Sequence, residues 1–150
     1  GFAEVATVSA TSLEDTSVAA DTAYLYRVIA LDSTGTFGVP SAPDLAMTVQ
    51  FSSDPNRVIR AAHINDLRDA IDDLRAAFGL GNASYTRAIA AGKKVKAFDL
   101  TEMRSAVDAA RSAAGLPAFA WAEAIVSQTP IAWSHWRELQ MAIGAIPADP

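Results

Sequence analysis

The chain has 150 residues, of which 51% are apolar and 19% charged, with a formal net charge of −5 and no cysteine. This composition is typical of a globular chain with a core, the missing cysteines exclude disulfides and thiolate metal sites, and no apolar run reaches the roughly 20 residues of a membrane span. The acidic excess lies in residues 1–51, with six acidic residues against Arg27 alone, so we exclude nucleic acid as a partner because it requires a basic surface.

Residues 1–51 are predicted to form an antiparallel β domain, because apolar and polar residues alternate along much of this region. Four strands are predicted, over residues 2–8, 11–16, 22–32 and 43–51. Residues 32–35 and 39–43 contain Gly, Pro, Asp and Ser, which favour turns. The short spacing between these turns is typical of antiparallel sandwiches.

One run within this region carries a family resemblance. It comprises Val18, Thr22, Tyr24, Tyr26, Arg27, Val28 and Ala30, followed by a Gly-containing turn and a Ser/Pro-rich entry into the last strand. The pattern resembles the second half of a fibronectin type III domain. The resemblance implies that Tyr24 is the family's corner tyrosine, whose hydroxyl bonds to nearby backbone. Ala20 and Asp21 stand where the family has Pro and Gly.

The resemblance also implies that the sandwich is incomplete. Such a domain has about seven strands, and only the last four are present, without the Trp that packs between the sheets. Three interpretations are open: upstream residues of a longer chain complete the sandwich, another chain donates strands, or the sheet packs on the helices that follow. Gly1 at the start, with no signal peptide in view, favours the first. Donation between copies would be self-assembly by strand complementation.

Residues 52–150 are predicted to form an all-α array of three helical repeats, joined to the β domain by a connection short enough for firm docking. VIRAAHINDLRDAI (58–71), KVKAFDLTEMRSAV (94–107) and PIAWSHWRELQMAI (130–143) align at a spacing of 36 residues, and such periods indicate stacked units. The units cover about 52–84, 85–120 and 121–146. Each contains one amphipathic helix. The predicted core positions are Ile64, Leu67, Ile71, Leu74 and Phe78, then Leu100, Met103, Val107, Ala110 and Ala114, then Trp136, Leu139, Ile143 and Ile146.

Particular residues predict where the helices begin and end. Gly79 and Gly115 are predicted to end the first two helices in the left-handed conformation. Asp99 and Glu102 have the spacing of a capping box at the start of the second helix. Acidic residues at 66, 102 and 138 are expected in the first turn of each helix, where the helix dipole favours them.

The repeats also resemble a known pattern. Their form, close to I-K-A-x-H-I-x-E-L-R-x-A-I, resembles helical repeats that follow fibronectin type III domains in large secreted bacterial proteins of unassigned activity. The chain departs from it at Asp99 and Gln140, where the pattern has His and Arg. The resemblance implies an extracellular location at the bacterial surface. Tyr85 and Trp121 begin the segments between helices, and we expect them to pack in the seams between successive helices.

The two histidines, His63 and His135, share one repeat position. A metal or acid–base role is one interpretation, and hydrogen bonding at the helix start is the other. We favour the second, because equivalent residues on neighbouring helices lie about 10 Å apart, too far to share a metal ion at about 2 Å. We predict no catalytic residue, no metal and no cofactor.

The aromatic residues are the remaining candidates for a site. Tyr85, Trp121, Trp133 and Trp136 form a candidate protein interface or ligand platform, because aromatic side chains are enriched at interfaces. We predict an α+β chain with a non-enzymatic structural, assembly or adhesion role in a secreted bacterial surface protein or extracellular filament. The alternatives are a cell-wall or carbohydrate-binding module, with a glycan as partner, and a passive C-terminal appendage of a secreted hydrolase.

Overall fold

The computed structural model describes residues 2–146 and shows a β-hairpin followed by three helices. The strands are β1 (Ala23–Tyr26), β2 (Ile29–Leu31), β3 (Phe37–Pro40) and β4 (Asp44–Met47). The helices are α1 (Ala61–Ala77), α2 (Ala97–Ala113) and α3 (Trp133–Gly144). The mixed content confirms the predicted α+β class. Residues 147–150, the end of the predicted helical domain, lie outside the described residues.

The four strands form one long antiparallel hairpin in two halves. In the inner half β1 pairs with β4, and in the outer half, defined here as residues 28–40, β2 pairs with β3. Leu31 and Phe37 are the last partners before the tip. Where the halves meet, the N–H of Ser41 donates to the carbonyl of Val28 at 2.8 Å. The pairing of the two chain segments therefore continues from the inner half of the hairpin into the outer half.

The tip of the hairpin is the turn predicted over residues 32–35, and the structure confirms it. Gly35 has a φ of +83°, and its N–H donates to the carbonyl of Asp32 at 3.0 Å. The hydroxyl of Thr34 and the backbone N–H groups of Thr36 and Thr34 all bind the Asp32 carboxylate and lower its pKa. Local hydrogen bonds of this kind hold the turn in one conformation.

The strand predictions need four corrections. Residues 2–8 and 11–16 form no strand, and residues 22–32 are interrupted at 27–28. Residues 39–40, predicted as part of a turn, belong to β3, and the strand predicted over residues 43–51 is limited to Asp44–Met47. The reason is pairing, because a strand is stable only when a neighbouring strand satisfies its backbone groups. Within the described part of the chain, no strand pairs with residues 2–16.

The helices begin 36 residues apart, at Ala61, Ala97 and Trp133, so each of the three predicted units contains one helix. Gly79 and Gly115 follow α1 and α2 with φ values of +73° and +77°, as predicted. Across residues 2–146, no helix is long and apolar enough to cross a bilayer.

The capping prediction at Asp99 is wrong by three residues. The N-cap of α2 is Lys96, and Asp99 is the third helical residue, where its Oδ2 accepts the Lys96 N–H at 2.7 Å. The acidic residues at 66, 102 and 138 therefore lie in the second turn of each helix, beyond the strongest part of the dipole. They bind the preceding loops instead.

The three helices form a closed bundle around one core. Of the predicted core positions, Phe78 and Ala114 are half-buried and all the others are buried. Each helix contacts both others, so α3 lies against α1 as well as α2. The indole N–H of Trp136 donates to the carbonyl of His63 at 3.2 Å and joins α3 to α1. In this closed arrangement each helix buries its apolar face against two neighbouring helices. In a side-by-side array, each outer helix would have only one neighbour.

The inner half of the hairpin docks on this bundle. Strand β1 contacts α1. The half-buried side chains of Leu45, Met47, Val49 and Phe51 pack against the helical core. The connection to α1 is short and held by hydrogen bonds, including an ion pair between Arg60 Nε and Asp54 Oδ2 at 2.9 Å. The firm docking expected from the short connection is therefore confirmed.

Gln128 offers a test of backbone strain. It has a φ of +77°, and Gly92, 36 residues earlier, has a φ of +78° with open space around its Cα. We expect Gln128→Gly to raise the free energy of unfolding by about 0.5–1 kcal/mol, because L-residues are strained in the left-handed region by more than glycine costs in chain entropy. The reverse change, Gly92→Gln, should lower it by about 1 kcal/mol.

Urea denaturation followed by circular dichroism measures both changes. The control is Gln140→Gly within α3, where glycine should lower the free energy of unfolding by about 1 kcal/mol. A loss of stability in Gln128→Gly as large as in this control would contradict the assigned conformation.

Candidate interaction surface

The β region exposes most of the chain's large apolar side chains. Among the described residues, nine of thirteen such side chains belong to it: Phe2, Val5, Val8, Leu13, Val28, Ile29, Leu31, Phe37 and Val39. Val39 is 91% exposed and Phe37 71% exposed. Every residue of β2 and β3 is exposed, so the outer half of the hairpin is covered on neither face. Extended apolar surface of this kind marks interaction sites.

Residues 2–19 run beside β1 without pairing to it. The guanidinium of Arg27 lies 4.1 Å from the ring centre of Phe2. The hydroxyl of Tyr26 donates to Asp15 Oδ2 at 2.9 Å, and partial burial together with this carboxylate raises the pKa of Tyr26. These side-chain contacts hold the segment near the hairpin while leaving its backbone without a strand partner.

Two local features shape the backbone just before and within β1. The hydroxyl of Tyr24 accepts the backbone N–H of Ala19 at 2.7 Å. Asp21, at the position where the family has Gly, has a φ of +50°. The backbone therefore adopts at Asp21 the left-handed conformation that glycine tolerates best.

The predicted aromatic platform is largely structural in its contacts. Trp136 is 5% exposed, and its ring lies 4.3 Å from that of Trp133 and 6.4 Å from that of Phe51. His63 packs edge-on against both tryptophans. The structure therefore brings Trp133 and Trp136 together between α3 and α1, with the faces of Trp136 covered by the chain itself.

Tyr85 and Trp121 are not part of the Trp133–Trp136 pair, and an arginine guanidinium lies over each of their rings. Arg68 lies 4.1 Å from the ring centre of Tyr85, and Arg104 lies 4.5 Å from that of Trp121. The indole N–H of Trp121 donates to Asp108 Oδ2 at 3.0 Å. Burial of the Tyr85 hydroxyl raises its pKa. Both rings pack against the core, in keeping with the predicted seam positions.

The two histidines cap their helices, which confirms the favoured interpretation. The Nδ1 atoms of His63 and His135 accept the N–H groups of Arg60 and Ala132 at 2.9 and 3.0 Å. Because Nδ1 accepts, each imidazole carries its proton on Nε2. In His135 this atom donates to the Glu123 carboxylate. Residues 2–146 contain no group of three or more His, Asp or Glu arranged to hold a metal ion.

Three buried arginines, Arg68, Arg104 and Arg111, were missed by the sequence-based prediction, and the first two share one repeat position. Arg68 and Arg104 are both 7% exposed. Arg68 Nη1 donates to the carbonyl of Arg87 at 2.8 Å, and Arg104 Nη1 donates to that of Glu123 at 2.7 Å, so each ties a helix to the loop that follows. A signal existed, because both arginines stand 36 residues apart and 17 residues before an aromatic residue.

An acidic side chain in the second turn of each helix binds the preceding loop. The backbone N–H donors and their acceptors are Ser52 to Asp66 at 2.9 Å, Thr86 to Glu102 at 3.1 Å and Ala122 to Glu138 at 2.5 Å. We name these contacts the carboxylate clips. They attach each loop to the equivalent position along its helix.

Grooves lie beside two of these clips. The α2 groove has a volume of about 330 Å³, and its lining includes the small side chains of Ala83, Ser84, Thr101 and Ser105 together with Arg75 and Glu102. The α3 groove has a volume of about 430 Å³, and its lining includes Phe119, Ala120, Arg137 and Met141 at the corresponding positions 36 residues later. The α3 groove is the more apolar of the two, and Met141 is 62% exposed.

The comparisons with known proteins add no relative to this geometry. No family model, curated protein or solved structure matches the chain. A role for the chain therefore has to be inferred from its own contacts and exposed surfaces.

The carboxylates of Asp21, Asp69, Asp72 and Asp73 lie close together where α1 meets the hairpin. Burial, followed by the charges of Asp69, Asp21 and Asp72, raises the pKa of Asp73 above its usual 3.8. Because the folded state holds this proton more tightly than the unfolded state, the ionised group opposes folding at neutral pH, and the penalty disappears as the pH falls through the raised pKa to below 3.8. We expect Asp73→Asn to stabilise the protein at pH 7, with a gain that shrinks on acidification.

Urea denaturation at neutral and acidic pH measures this gain. Asp32→Asn is the control of opposite sign, because hydrogen bonds lower the pKa of Asp32 and its ionised form favours folding at neutral pH. Lower stability of Asp73→Asn at pH 7, or a gain that grows with acid, would be the contrary result.

Proposed function

We propose that the chain is a non-enzymatic structural module, serving assembly or adhesion in a secreted bacterial surface protein or extracellular filament. The observation that carries the proposal is the uneven exposure of apolar side chains. The helical core is buried, whereas the outer half of the hairpin and residues 2–13 present Val39, Phe37 and their neighbours to solvent. A surface of this kind gains stability when another protein segment covers it.

The proposal treats the β region as the C-terminal half of a fibronectin-type sandwich. Three features support this: the bond from Ala19 N–H to the Tyr24 hydroxyl, the positive φ at Asp21, and the long hairpin formed by the last strands. The missing half would cover the exposed apolar face. It comes either from upstream residues or from strands of another chain, and both give the module a protein partner.

The proposal treats the helical region as three repeats that serve as a rigid support. Support comes from contacts that recur at corresponding positions. The third helical residue accepts the N-cap N–H in all three helices, and the carboxylate clips and the arginine–aromatic pairs recur as well. Recurring contacts at one spacing are typical of repeat architectures. The hairpin docks on the first helix, so this support holds the apolar face in place.

Light scattering over a range of concentrations tests the proposal. We expect the 150-residue chain to self-associate. A chain extended upstream by about 50 residues, enough for the missing strands, should associate less. Phe37→Asp should weaken association, whereas Val126→Asp, at a 63% exposed position of the helical region, should leave it unchanged. A well-folded monomer at every concentration, unaffected by the extension, would refute the proposal.

A further inference from the structure

The two long edges of the hairpin's outer half differ. On the β3 side, Pro40 has no backbone N–H, and β3 carries an extra residue: two residues separate Phe37 from Pro40, whereas Ala30 alone separates their partners in β2. Proline and such bulges keep an edge strand from pairing with a further strand. The β2 residues Ile29–Leu31 include neither a proline nor a charge. Among residues 2–146, β2 pairs with β3 alone, so its other edge is open to a further strand.

Hydrogen bonds at both ends of β2 fix which of its backbone groups face β3. The carbonyl of Val28 accepts the N–H of Ser41 at 2.8 Å, and the N–H of Asp32 donates to the carbonyl of Thr36 at 3.1 Å. The backbone groups of Val28 and Asp32 therefore point toward the partner strand. In an antiparallel strand, residues whose groups face the partner alternate with residues whose groups face away.

The three residues between these ends offer an identical strand a matching set of groups. By the alternation, Ala30 faces β3, whereas Ile29 and Leu31 direct their N–H and C=O groups to the open edge. An antiparallel copy of β2 centred on Ala30 places each Ile29 opposite Leu31 of the other copy. Each of these opposed pairs can then exchange both of its N–H···O bonds. The open edge of β2 is therefore complementary to itself.

Side-chain size and charge at this edge also suit a second copy. A Cβ atom added at Gly38 would lie 3.7 Å from the Ala30 Cβ, so these two small residues share one face of the sheet at the centre of the contact. Residues 27–40 contain one cation, Arg27, and one carboxylate, Asp32. The antiparallel arrangement brings the Arg27 end of each strand to the Asp32 end of the other. Charges of opposite sign therefore come together at both ends of the contact.

Pairing with a second copy also gives the outer half what two strands alone lack. Every residue of β2 and β3 is exposed, and a two-stranded hairpin is marginally stable in water, whereas three or more strands with an apolar face are stable. Leu31 and Phe37 are cross-strand partners, and Ile29 lies on the same face as Leu31. Two copies together form four strands with a continuous apolar face. Across the contact, Ile29 at 36% exposure packs beside Leu31 at 45% exposure.

We propose that β2 pairs antiparallel with β2 of a second copy of this chain, about a two-fold axis at Ala30. The two outer halves thereby form one four-stranded sheet. The same residues contribute from both copies, so the contact is isologous and closes at a dimer. The dimer is weak, because three-residue strands bury less than the roughly 800 Å² per partner of a standard interface. This inference rests on the proposed assembly function and names its partner and its contact.

Single cysteines test the contact by non-reducing electrophoresis after mild oxidation, because the chain has no cysteine of its own. The two Ala30 residues face each other as a non-hydrogen-bonded pair with Cα atoms about 4.5 Å apart, a separation that permits a disulfide. Ala30→Cys should form covalent dimers at least about tenfold faster than Val39→Cys, since the β3 strands of the two copies lie three strand spacings, about 14 Å, apart. Val39 is 91% exposed, so random collisions would favour this control.

A charge exchange at position 30 tests the two-fold axis in solution by sedimentation velocity. Ala30→Lys and Ala30→Glu should each weaken dimerisation by about threefold or more, because like charges directly opposite each other destabilise a strand pair. An equimolar mixture of the two variants should associate at least as strongly as wild type, because each lysine then meets a glutamate. Circular dichroism checks that both variants remain folded.

The outcomes separate this inference from the assembly function. If wild type associates but Ala30→Cys crosslinks no faster than Val39→Cys, or the mixed charge variants associate as weakly as each alone, the inference is overturned while the assembly function stands. Loss of the Ala30→Cys dimer in the chain extended upstream would assign the edge to an upstream strand and overturn the inference in the same way. If wild type remains a monomer at every concentration, with or without upstream residues, both are overturned.

Discussion

Replacing Asp99 with alanine is expected to lower the free energy of unfolding by about 3–5 kcal/mol, the usual cost of removing one partner from a buried ion pair. The Asp99 carboxylate is fully buried. It accepts the Lys96 N–H at 2.7 Å and two bonds from Arg87, at 3.0 Å from Nε and 2.5 Å from Nη2. Arg68 Nη2 lies 3.6 Å away. Without the carboxylate, the Arg87 guanidinium and a helix-start amide lose their acceptor, and Arg68 loses a counter-charge 3.6 Å away.

Two further variants separate the contribution of the hydrogen bond to the Lys96 N–H from that of the arginine contacts. Asp99→His introduces the residue that α1 and α3 carry at this position, so it keeps an acceptor for the Lys96 N–H and should recover only about 1 kcal/mol. Asp44→Ala, at an exposed carboxylate, should change stability by less than about 0.5 kcal/mol. Urea denaturation of the three variants gives the comparison. Wild-type stability in Asp99→His would show that the arginine contacts contribute nothing.

Asp99 also shows where local sequence rules stop. Its type and the spacing to Glu102 favour an N-cap, yet the helix begins three residues earlier, because the carboxylate is more stable where it meets Arg87 from the preceding loop. Glu102, expected to complete a capping box, binds the N–H of Thr86 instead. Pairings between a helix and a loop 12 to 16 residues away leave no local pattern, so propensity alone places the cap incorrectly.

The helical core was predictable because burial follows a local period. Leu67, Met103 and Leu139 are fully buried, as the apolar spacing predicts. The closure of the bundle was not predictable in this way, since the contact of α3 with α1 depends on crossing geometry. Trp136 fits the core pattern, and it was also a platform candidate, because residue type alone does not show which faces of a ring are covered.

In the β region, the local turn was predictable, whereas the formation of strands was not. The tip at Gly35 was predictable because it depends on residues close in sequence, whereas the backbone contact of Tyr24 was expected only from the fibronectin-type resemblance. The strands at residues 2–8 and 11–16 were predicted from alternation and did not form, since alternation shows what a strand could bury and does not supply a partner. Their exposed apolar side chains are the same feature on which the assembly proposal depends.

Leu139→Ala is expected to lower the free energy of unfolding by about 2–5 kcal/mol, the range for truncating a buried leucine. Leu139 is fully buried in α3, and Met141, two residues later, is 62% exposed, so Met141→Ala on the same helix should cost less than about 0.5 kcal/mol. In an open repeat array, α3 could unfold separately from its neighbours. In the closed bundle it is held by both α1 and α2.

The two arrangements therefore differ in how Leu139→Ala unfolds. Trp133 and Trp136 both belong to α3, so tryptophan fluorescence reports mainly on this helix, whereas far-ultraviolet circular dichroism reports on all three. A closed bundle predicts that both signals change at one lowered urea midpoint. An earlier fluorescence transition, with the circular dichroism midpoint left near that of wild type, would mean that α3 unfolds alone and that its contact with α1 contributes little stability.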